Sequence, residues 1–269
     1  MENKDIFSQA RTGLFEEDIE VYHGTKAISS TLLRLFMKSP KKFSHAWEGK
    51  QERVETEAFR VGSALHCMVL EPKEYPKRFV VAPEINRRTK AGRDEWEMFL
   101  VNHEGKEVLK YEQYEQVLSM AEAISKDGLA SGLLEDTKRE MSARVTLTNG
   151  LVIQCRPDAM KAGHLLDVKT CVDVGKFKWE MKSYGYHLQA AFYYFLMSRL
   201  FPEDYGEANF YFLAVEKSSP WEVKVYGLGY DNLQMIVEQY IEPAFHNLKD
   251  YLYERDINEA GEIEWLDIL

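Results

Sequence analysis

Two aspartates and a lysine lie close together in the middle of the chain, in the order Asp158, Asp167 and Lys169. Alternating apolar residues predict a strand over residues 151–155, and the run 164–169 predicts a second strand. A proline after the first strand ends its regular pairing and leaves Asp158 just beyond the end of the strand. Side chains alternate along a strand, so Asp167 and Lys169 project to the same side. The two strands are predicted to be adjacent and to bring two carboxylates and one ammonium together.

This trio is suited to the hydrolysis of a phosphodiester. Two carboxylates that converge repel each other unless a divalent cation lies between them, and Mg²⁺ prefers oxygen ligands. A lysine beside the cation orients the attacking water or helps to deprotonate it, and it stabilises negative charge on the phosphate. On these residues alone, a surface turn with an ordinary salt bridge is an equal explanation.

Two further polar residues lie in segments with helical spacing. His66 falls within the apolar run 61–70, where a core histidine with satisfied hydrogen bonds is the simpler interpretation. Gln189 lies between Tyr186 and Tyr193, at positions i, i+3 and i+7, which share one helical face. An amphipathic core helix with an incidental glutamine is the alternative for this second segment.

Taken together, these residues resemble the RecB-like branch of the PD-(D/E)xK nucleases, in which a histidine precedes P-D…D-x-K and a Y-x-x-Q-x-x-x-Y helix follows it. The chain is more specifically similar to the nuclease domain of RecE-type exonucleases (exonuclease VIII), from about residue 29 to about residue 230. The similar segments occur in the same order and are 62–66 with 70–72, 78–84, 86–92, 155–158 and 167–170.

The resemblance implies a fold and an activity. The fold is α/β (α+β), with a central mixed β-sheet flanked by helices in a PD-(D/E)xK restriction-endonuclease-like core. The activity is ATP-independent 5′-to-3′ exonuclease digestion of linear double-stranded DNA, which leaves 3′ single-stranded overhangs for homologous recombination. A ring-shaped homo-oligomer and a single-strand annealing recombination protein as partner are implied by kinship alone. The alternatives are a RecB-like endonuclease for branched or single-stranded DNA, a catalytically silent interaction module and an unrelated acidic binding protein.

The resemblance also implies roles for the central residues. Asp158 and Asp167 would bind Mg²⁺, with Mn²⁺ as a possible substitute, at a centre of two ions, and the Val168 carbonyl would complete the ligand set. Lys169 would orient or activate the water. His66 would assist the second ion or contact the scissile phosphate.

Other residues are predicted to contact DNA or to support the centre. Gln189 would hold the DNA or the lysine, and Glu140, at the start of the predicted hairpin, would reach the metal or its water. Arginine-rich loops bind phosphates well. For the first basic cluster, which contains Arg34 and Lys38, a solvated helix face is the simpler explanation. The predicted DNA-binding residues are Arg34, Lys38, Arg87, Arg88, Lys90 and Tyr193.

Charge and cysteine content limit the possible functions. A net charge of −10 argues against general attraction to nucleic acid, so any grip on DNA must be local. The three isolated cysteines are too few for a four-cysteine iron–sulfur cluster. The sequence has no G-x-x-x-x-G-K-[ST] motif, as expected for a nuclease without its own ATP motor. No apolar run has the length of a bilayer span, and a cytoplasmic location is expected.

The remaining pattern predicts the elements that position these residues. We expect one helix over 57–70, a hairpin with its turn at Asn149-Gly150, and a single long helix over 177–200. A final helix over 231–253 should be kinked or broken at Pro243. We divide the chain into an N-terminal arm (1–25), one nuclease domain (26–256) and a C-terminal tail (257–269).

Overall fold

The computed structural model describes residues 11–50 and 56–257, with side chains to residue 254. The described strands are β1 Gly13–Phe15, β2 Phe79–Val81, β3 Glu107–Leu109, β4 Lys138–Arg139, β5 Ser142–Thr146, β6 Val152–Cys155, β7 Ala159–Lys161, β8 His164–Cys171, β9 Asn209–Glu216 and β10 Val223–Leu228. The described α-helices are α1 Ile19–Gly24, α2 Ser30–Lys38, α3 Pro40–Trp47, α4 Glu57–Leu70, α5 Tyr75–Arg78, α6 Lys90–Asn102, α7 Tyr111–Lys126, α8 Gly128–Leu134, α9 Phe177–Ser183, α10 Tyr186–Leu200, α11 Pro202–Tyr205, α12 Tyr230–Ile236 and α13 Glu242–Ile257.

A five-stranded mixed sheet forms the centre of the fold, in the order β10-β9-β8-β7-β4. Strands β8 and β9 are parallel, and the other neighbouring pairs are antiparallel. Helices α4, α7 and α8 pack on one face, and α10 and α12 pack on the other, where α10 also contacts α2. Each face therefore has its own apolar core. This arrangement confirms the predicted α/β class with helices flanking a mixed sheet.

Strand β8 separates its side chains between the two cores. Leu166 and Val168 are buried in the core beneath α4 and α7. Leu165 belongs to the opposite core, which contains α10. Because side chains alternate along a strand, Asp167 and Lys169 point toward α10, on the same side as Leu165.

A smaller sheet in the order β1-β5-β6 lies beside α10, which contacts both β5 and β6. Within it, β5 and β6 form the predicted hairpin, and Gly150 in its loop adopts φ +87°, a conformation that favours glycine. Residues 13–24, inside the predicted arm, form β1 on the edge of this sheet and then α1. The division into arm, domain and tail stays a prediction, and all of the tail except Ile257 lies outside the described residues.

The predicted adjacency of the strands over 151–155 and 164–169 was wrong. Strand β6 belongs to the smaller sheet, and the antiparallel neighbour of β8 is β7. The sequence pattern predicts no strand between Asp158 and residue 164, because β7 has three residues and is too short to show alternation. Its pairing depends on contact with β8 and β4, which no local pattern reports.

Helix α4 has the predicted bounds, and the Thr56 hydroxyl caps it by accepting a hydrogen bond from the Phe59 N–H at 3.1 Å. The predicted single helix over 177–200 is instead two helices. Gly185 breaks it with φ +68°. The Arg34 guanidinium donates to the Tyr184 carbonyl, which a continuous helix would use internally, and also to the Gly185 carbonyl. The final helix is interrupted by a π-helical turn at Val237–Ile241, a few residues before the predicted position, and Pro243 is the second residue of α13.

Among the described residues, no helix combines the length and the apolar character needed to cross a bilayer. Cys67, Cys155 and Cys171 are all buried and unpaired, as expected for thiols that fill apolar cores.

The loop before α6 is predicted to depend on Gly92. A Cβ atom at this buried position would lie 2.1 Å from the Asn86 carbonyl oxygen, which is backbone and cannot move aside cheaply. We expect Gly92→Ala to lower the free energy of unfolding by about 1–3 kcal/mol, measured by urea denaturation. The matched control is Gly132→Ala in α8, where a Cβ meets nothing within 4 Å and should stabilise by up to about 1 kcal/mol. Equal stabilities for the two variants would contradict the prediction.

Candidate active site

Asp158 is held at the point where the sheet loses a strand. Strand β7 pairs with β8 only as far as Ala159 opposite Leu166, so the next N–H groups of β8 have no neighbouring strand on that edge. The buried Asp158 carboxylate takes the strand's place, and its Oδ2 accepts a hydrogen bond from the Val168 N–H at 2.6 Å. Because a buried N–H without a partner is costly, this bond fixes the carboxylate beside β8.

Asp167 and Lys169 form an ion pair between β8 and α10. The Lys169 ammonium contacts Asp167 Oδ2, and Gln189 Nε2 on α10 donates to Asp167 Oδ1 at 2.9 Å. Only 2% of Asp167 is exposed. Among the described residues, its Oδ2 has no hydrogen-bond donor of regular geometry, and the Lys169 ammonium is the charged group that it contacts. The Lys169 Nζ also lies 5.0 Å from the centroid of the Tyr186 ring.

His66 reaches the same place from the opposite helix layer. Helix α4 buries Ala64, Leu65 and Cys67 against its neighbours, which leaves His66 on the side that faces a cavity. Its Nδ1 lies 3.3 Å from Asp158 Oδ2. The predicted convergence of His66 with the aspartates is therefore present in the fold, although its catalytic role stays a prediction.

Glu140 completes a cluster with His66 and Asp158, because one ligand atom from each of the three lies within 4.8 Å of the others. Its backbone has φ +51°, the left-handed region that non-glycine residues rarely adopt. The Glu140 N–H donates to the Asp158 carbonyl at 3.1 Å, which helps to hold this conformation. Strain of this kind, about 1–3 kcal/mol, is often found where a side chain must be aimed at a functional site.

Burial and mutual repulsion shift the pKa values of these groups. Burial, followed by the neighbouring Asp158, raises the pKa of Glu140 to about 7. Burial and the Asp167 carboxylate raise the pKa of Asp158 well above its usual range. Burial alone would lower the pKa of Lys169, but Asp167 and Asp158 outweigh it, so the pKa is raised and the ammonium stays protonated at neutral pH. Burial and the Lys169 charge lower the pKa of His66, which favours the neutral imidazole.

These residues fit a hard divalent cation. Carboxylate oxygens are the ligands that Mg²⁺ and Mn²⁺ prefer, and the neutral His66 has a nitrogen lone pair to offer. A cation near Asp158 and Glu140 would relieve the repulsion that raises the pKa values of both carboxyl groups. Asp167 lies outside the three-residue cluster, with its two oxygens engaged by Gln189 and Lys169. Its role as a ligand stays a prediction.

A cavity of about 1090 Å³ opens beside the cluster and is lined by His66, Glu140, Asp158, Val168 and Lys169. Glu16, Glu17, Asp18 and Glu20, from the segment that leads into α1 and its first turn, also line the space. The whole lining holds eight carboxylates against four lysine and arginine side chains, so a polyanion that enters the cavity meets a net negative surface unless cations compensate it.

The remaining predicted residues fall into two groups. Tyr193 lines the cavity, and its hydroxyl accepts a hydrogen bond from Gln189 Nε2 at 3.3 Å. Arg34 lies deeper than a surface phosphate contact would suggest, because its guanidinium is bonded to the carbonyls at the α9–α10 break. Four basic residues do not line the cavity, and their DNA contacts stay predictions: Lys38, Arg87, Arg88 and Lys90.

Sequence analysis assigned no role to Arg156, which organises one wall of the site. Its Nε donates to Glu140 Oε2 at 2.8 Å, and its Nη1 donates to the Ser142 hydroxyl at 2.9 Å and to the Glu17 carbonyl at 3.0 Å. The only signal in the sequence was the position of Arg156 directly before Pro157 and Asp158. The identity of its partners depends on the fold.

Comparisons with known proteins agree with this architecture. The sequence profile of a family described as "PDDEXK-like domain of unknown function (DUF3799)" matches residues 29–260. A crystal structure of a protein from Eubacterium rectale, described as "Putative exonuclease", is similar with a TM-score of 0.63 and 13% sequence identity, over 95% of this chain and 97% of that chain. At this identity the similarity shows the fold alone. No curated protein matches the chain.

The raised pKa of Glu140 predicts how pH changes the stability of the protein in the presence of a chelator. With a folded pKa of about 7 against an ordinary 4.5, the folded state holds more protons between these values, so stability falls as pH rises through that window. We expect Glu140→Gln to remove on the order of 3 kcal/mol of this fall, measured as unfolding free energy at pH 4.5 and pH 8. The exposed Glu97→Gln should keep the wild-type slope. An unchanged slope in Glu140→Gln would contradict the assignment.

Arg156 is predicted to act on cation binding through Glu140. Arg156→Lys keeps the charge but cannot bond Glu140, Ser142 and the Glu17 carbonyl at once. Because partners behind metal ligands commonly contribute 10- to 100-fold in affinity, we expect Mn²⁺ binding to weaken by about 10-fold, measured by calorimetry. Wild-type affinity in a folded Arg156→Lys protein would show that Glu140 needs no such support.

Proposed function

The chain belongs to the PDDEXK-like domain family whose profile it matches, and from this premise we propose that it is a divalent-metal-dependent nuclease that hydrolyses DNA phosphodiesters. The finer proposal is an ATP-independent exonuclease that digests linear duplex DNA 5′ to 3′ and leaves 3′ single-stranded overhangs for recombination. That form is supported by the RecE-type sequence resemblance. The similar structure from Eubacterium rectale bears the description of an exonuclease, which is said of that protein.

The observation that carries the proposal is the convergence of Asp158, Asp167 and Lys169 beside a cavity large enough for a nucleotide. The pairing of β7 with β8 ends two residues before Val168, which leaves room for the Asp158 carboxylate. Alternation along β8 places Asp167 and Lys169 on one side of the strand, and α4 brings His66 to Asp158. A salt bridge at a surface turn would not need residues from both helix layers to converge. A catalytic centre therefore explains this arrangement better than an ordinary salt bridge does.

Each residue has a role that its contacts support. Asp158, Glu140 and His66 would hold the cation, and Asp167 would be a further ligand. When bound, Mg²⁺ would lower the pKa of its water and stabilise charge on the phosphate. Lys169, which stays protonated, would donate hydrogen bonds to the attacking water and to a phosphate oxygen rather than accept a proton. Gln189 would hold the Asp167 carboxylate in the orientation that keeps Lys169 in place.

Charge sets a condition on substrate binding. The acidic cavity wall and a net charge of −10 oppose an approaching phosphate backbone. The basic residues predicted to contact DNA, Arg87, Arg88 and Lys90, lie outside the cavity, so they would grip the duplex away from the reacting phosphate. A ring of subunits, as the resemblance implies, would collect such residues around a shared channel. An annealing protein that receives the overhang is the partner this activity would require.

The proposal predicts metal-dependent digestion that requires Lys169. We expect release of nucleotides from the 5′ ends of a linear duplex with Mg²⁺ or Mn²⁺, none with chelator, and no dependence on ATP. Lys169→Ala should lower the rate by about 10²–10³-fold, the loss typical for removing one charge-stabilising donor. The measurement is the release of label from duplexes labelled at either the 5′ or the 3′ end.

The matched control is Lys224→Ala, which removes an exposed lysine of β10 in the same sheet. Closed circular DNA should survive. If circles are cut with the same metal and Lys169 dependence, the protein is an endonuclease and only the exonuclease form fails. If well-folded wild-type protein cuts no DNA with either metal, or Lys169→Ala is as active as the wild type, the nuclease proposal itself is wrong.

A further inference from the structure

A surface of exposed rings and lysines follows directly after the catalytic strand. Trp179 is 66% exposed, Tyr184 is 61% exposed and Val172 is 70% exposed. Large apolar side chains of this size are normally covered, and exposed clusters of them commonly mark a binding surface. We name the basic aromatic surface for the residues Val172, Lys176, Lys178, Trp179, Lys182 and Tyr184.

Three lysines lie on the same helical segment as Trp179. Lys176 and Lys182 lie three residues before and after it, so these two lysines and Trp179 share one side of the helical segment. Lys178 Nζ lies 5.5 Å from the Trp179 ring centroid. Asp173 pairs with Lys176 at 3.1 Å, and Glu180 is the second acid of the segment 172–184, which leaves a positive excess in a chain of net charge −10.

The rings are exposed on a well-anchored segment. Phe177 is fully buried and packs against Tyr186 and Phe212, which fixes the start of α9. At the other end, the Arg34 guanidinium bonds the carbonyls of Tyr184 and Gly185. Exposure of Trp179 and Tyr184 is thus imposed by the packing of their neighbours.

The basic aromatic surface is continuous with the catalytic centre. The Tyr184 and Tyr186 rings have their centroids 5.6 Å apart, and the Tyr186 ring lies 5.0 Å from Lys169 Nζ. Tyr186 and Lys169 both line the cavity. Aromatic rings therefore lead from Tyr184, at the end of the helix that carries Trp179, toward the reacting position.

We propose that the basic aromatic surface binds a single strand of nucleic acid that enters or leaves the cavity. This inference rests on the proposed nuclease function. Exposed aromatic faces stack on unpaired bases of any sequence, and adjacent lysines attract the phosphates between them. Bases inside a duplex already stack on each other and present only their edges. A protein partner fits less well, because lysine is depleted from the centres of protein interfaces.

The test measures binding separately from cleavage. Full-length Lys169→Ala protein in chelator is titrated into a fluorescent oligothymidylate, and into a blunt duplex of the same length, with anisotropy as the readout. Because each stacked ring contributes about fivefold or more in affinity, Trp179→Ala with Tyr184→Ala should weaken single-strand binding by about 30-fold or more and duplex binding much less. Trp179→Phe with Tyr184→Phe should retain most of the affinity.

The matched control is Tyr253→Ala on α13, which removes a tyrosine of the same exposure, 62%, and should leave binding unchanged. Circular dichroism of each variant confirms folding. Unchanged single-strand affinity in the doubly substituted protein, or an equal loss for the duplex, would overturn the proposal.

The two proposals fail in different ways. If the wild-type protein cleaves DNA through Lys169 while the ring variants bind and cleave normally, only the basic aromatic surface is misassigned. If ring-dependent binding is observed but no metal supports cleavage, the surface stands and the nuclease assignment falls.

Discussion

The hydrogen bond from the Val168 N–H to the Asp158 carboxylate joins the two halves of the site. It forms because the pairing of β7 with β8 stops at Ala159 opposite Leu166, while β8 continues. A side chain rather than a strand must therefore satisfy the backbone of β8 beyond that point. The bond fixes Asp158 next to the residue whose neighbours on both sides are Asp167 and Lys169. Extending β7 would satisfy the same N–H and displace the carboxylate, so the shortness of that strand is part of the site.

Balanced charge holds the remaining groups in place. Lys169 pairs with Asp167, Arg156 pairs with Glu140, and Arg144 pairs with Glu17. Each cation in these pairs is largely buried, and a buried charge left without its partner is strongly destabilising. The pairs therefore act as restraints on position. They also connect the acidic N-terminal segment to the cluster of His66, Glu140 and Asp158, because Arg156 bonds both Glu140 and the Glu17 carbonyl.

The distribution of charge accounts for how an acidic protein could handle DNA. Carboxylates concentrate around the cavity, where a divalent cation would neutralise them, while the lysines near Trp179 and the arginines before α6 lie outside it. Under the proposed function, DNA binding and catalysis would fall to separate regions of the surface. The net charge of −10 describes neither region, because it averages over both.

The sequence by itself determined the residue types of the centre and most of the elements that carry them. Alternation placed Asp167 with Lys169, apolar spacing gave α4 its bounds, and Asn149-Gly150 gave the hairpin, because these signals are local. The neighbour of β8, the break at Gly185, the contact of His66 with Asp158 and the role of Arg156 came only from the tertiary structure. Each depends on contacts between distant segments, such as Arg34 with Tyr184 or α4 with β8. Neither a three-residue strand nor the burial of a guanidinium leaves a local pattern in the sequence. Their positions are decided by which backbone and charged groups still need a partner once distant segments have packed together.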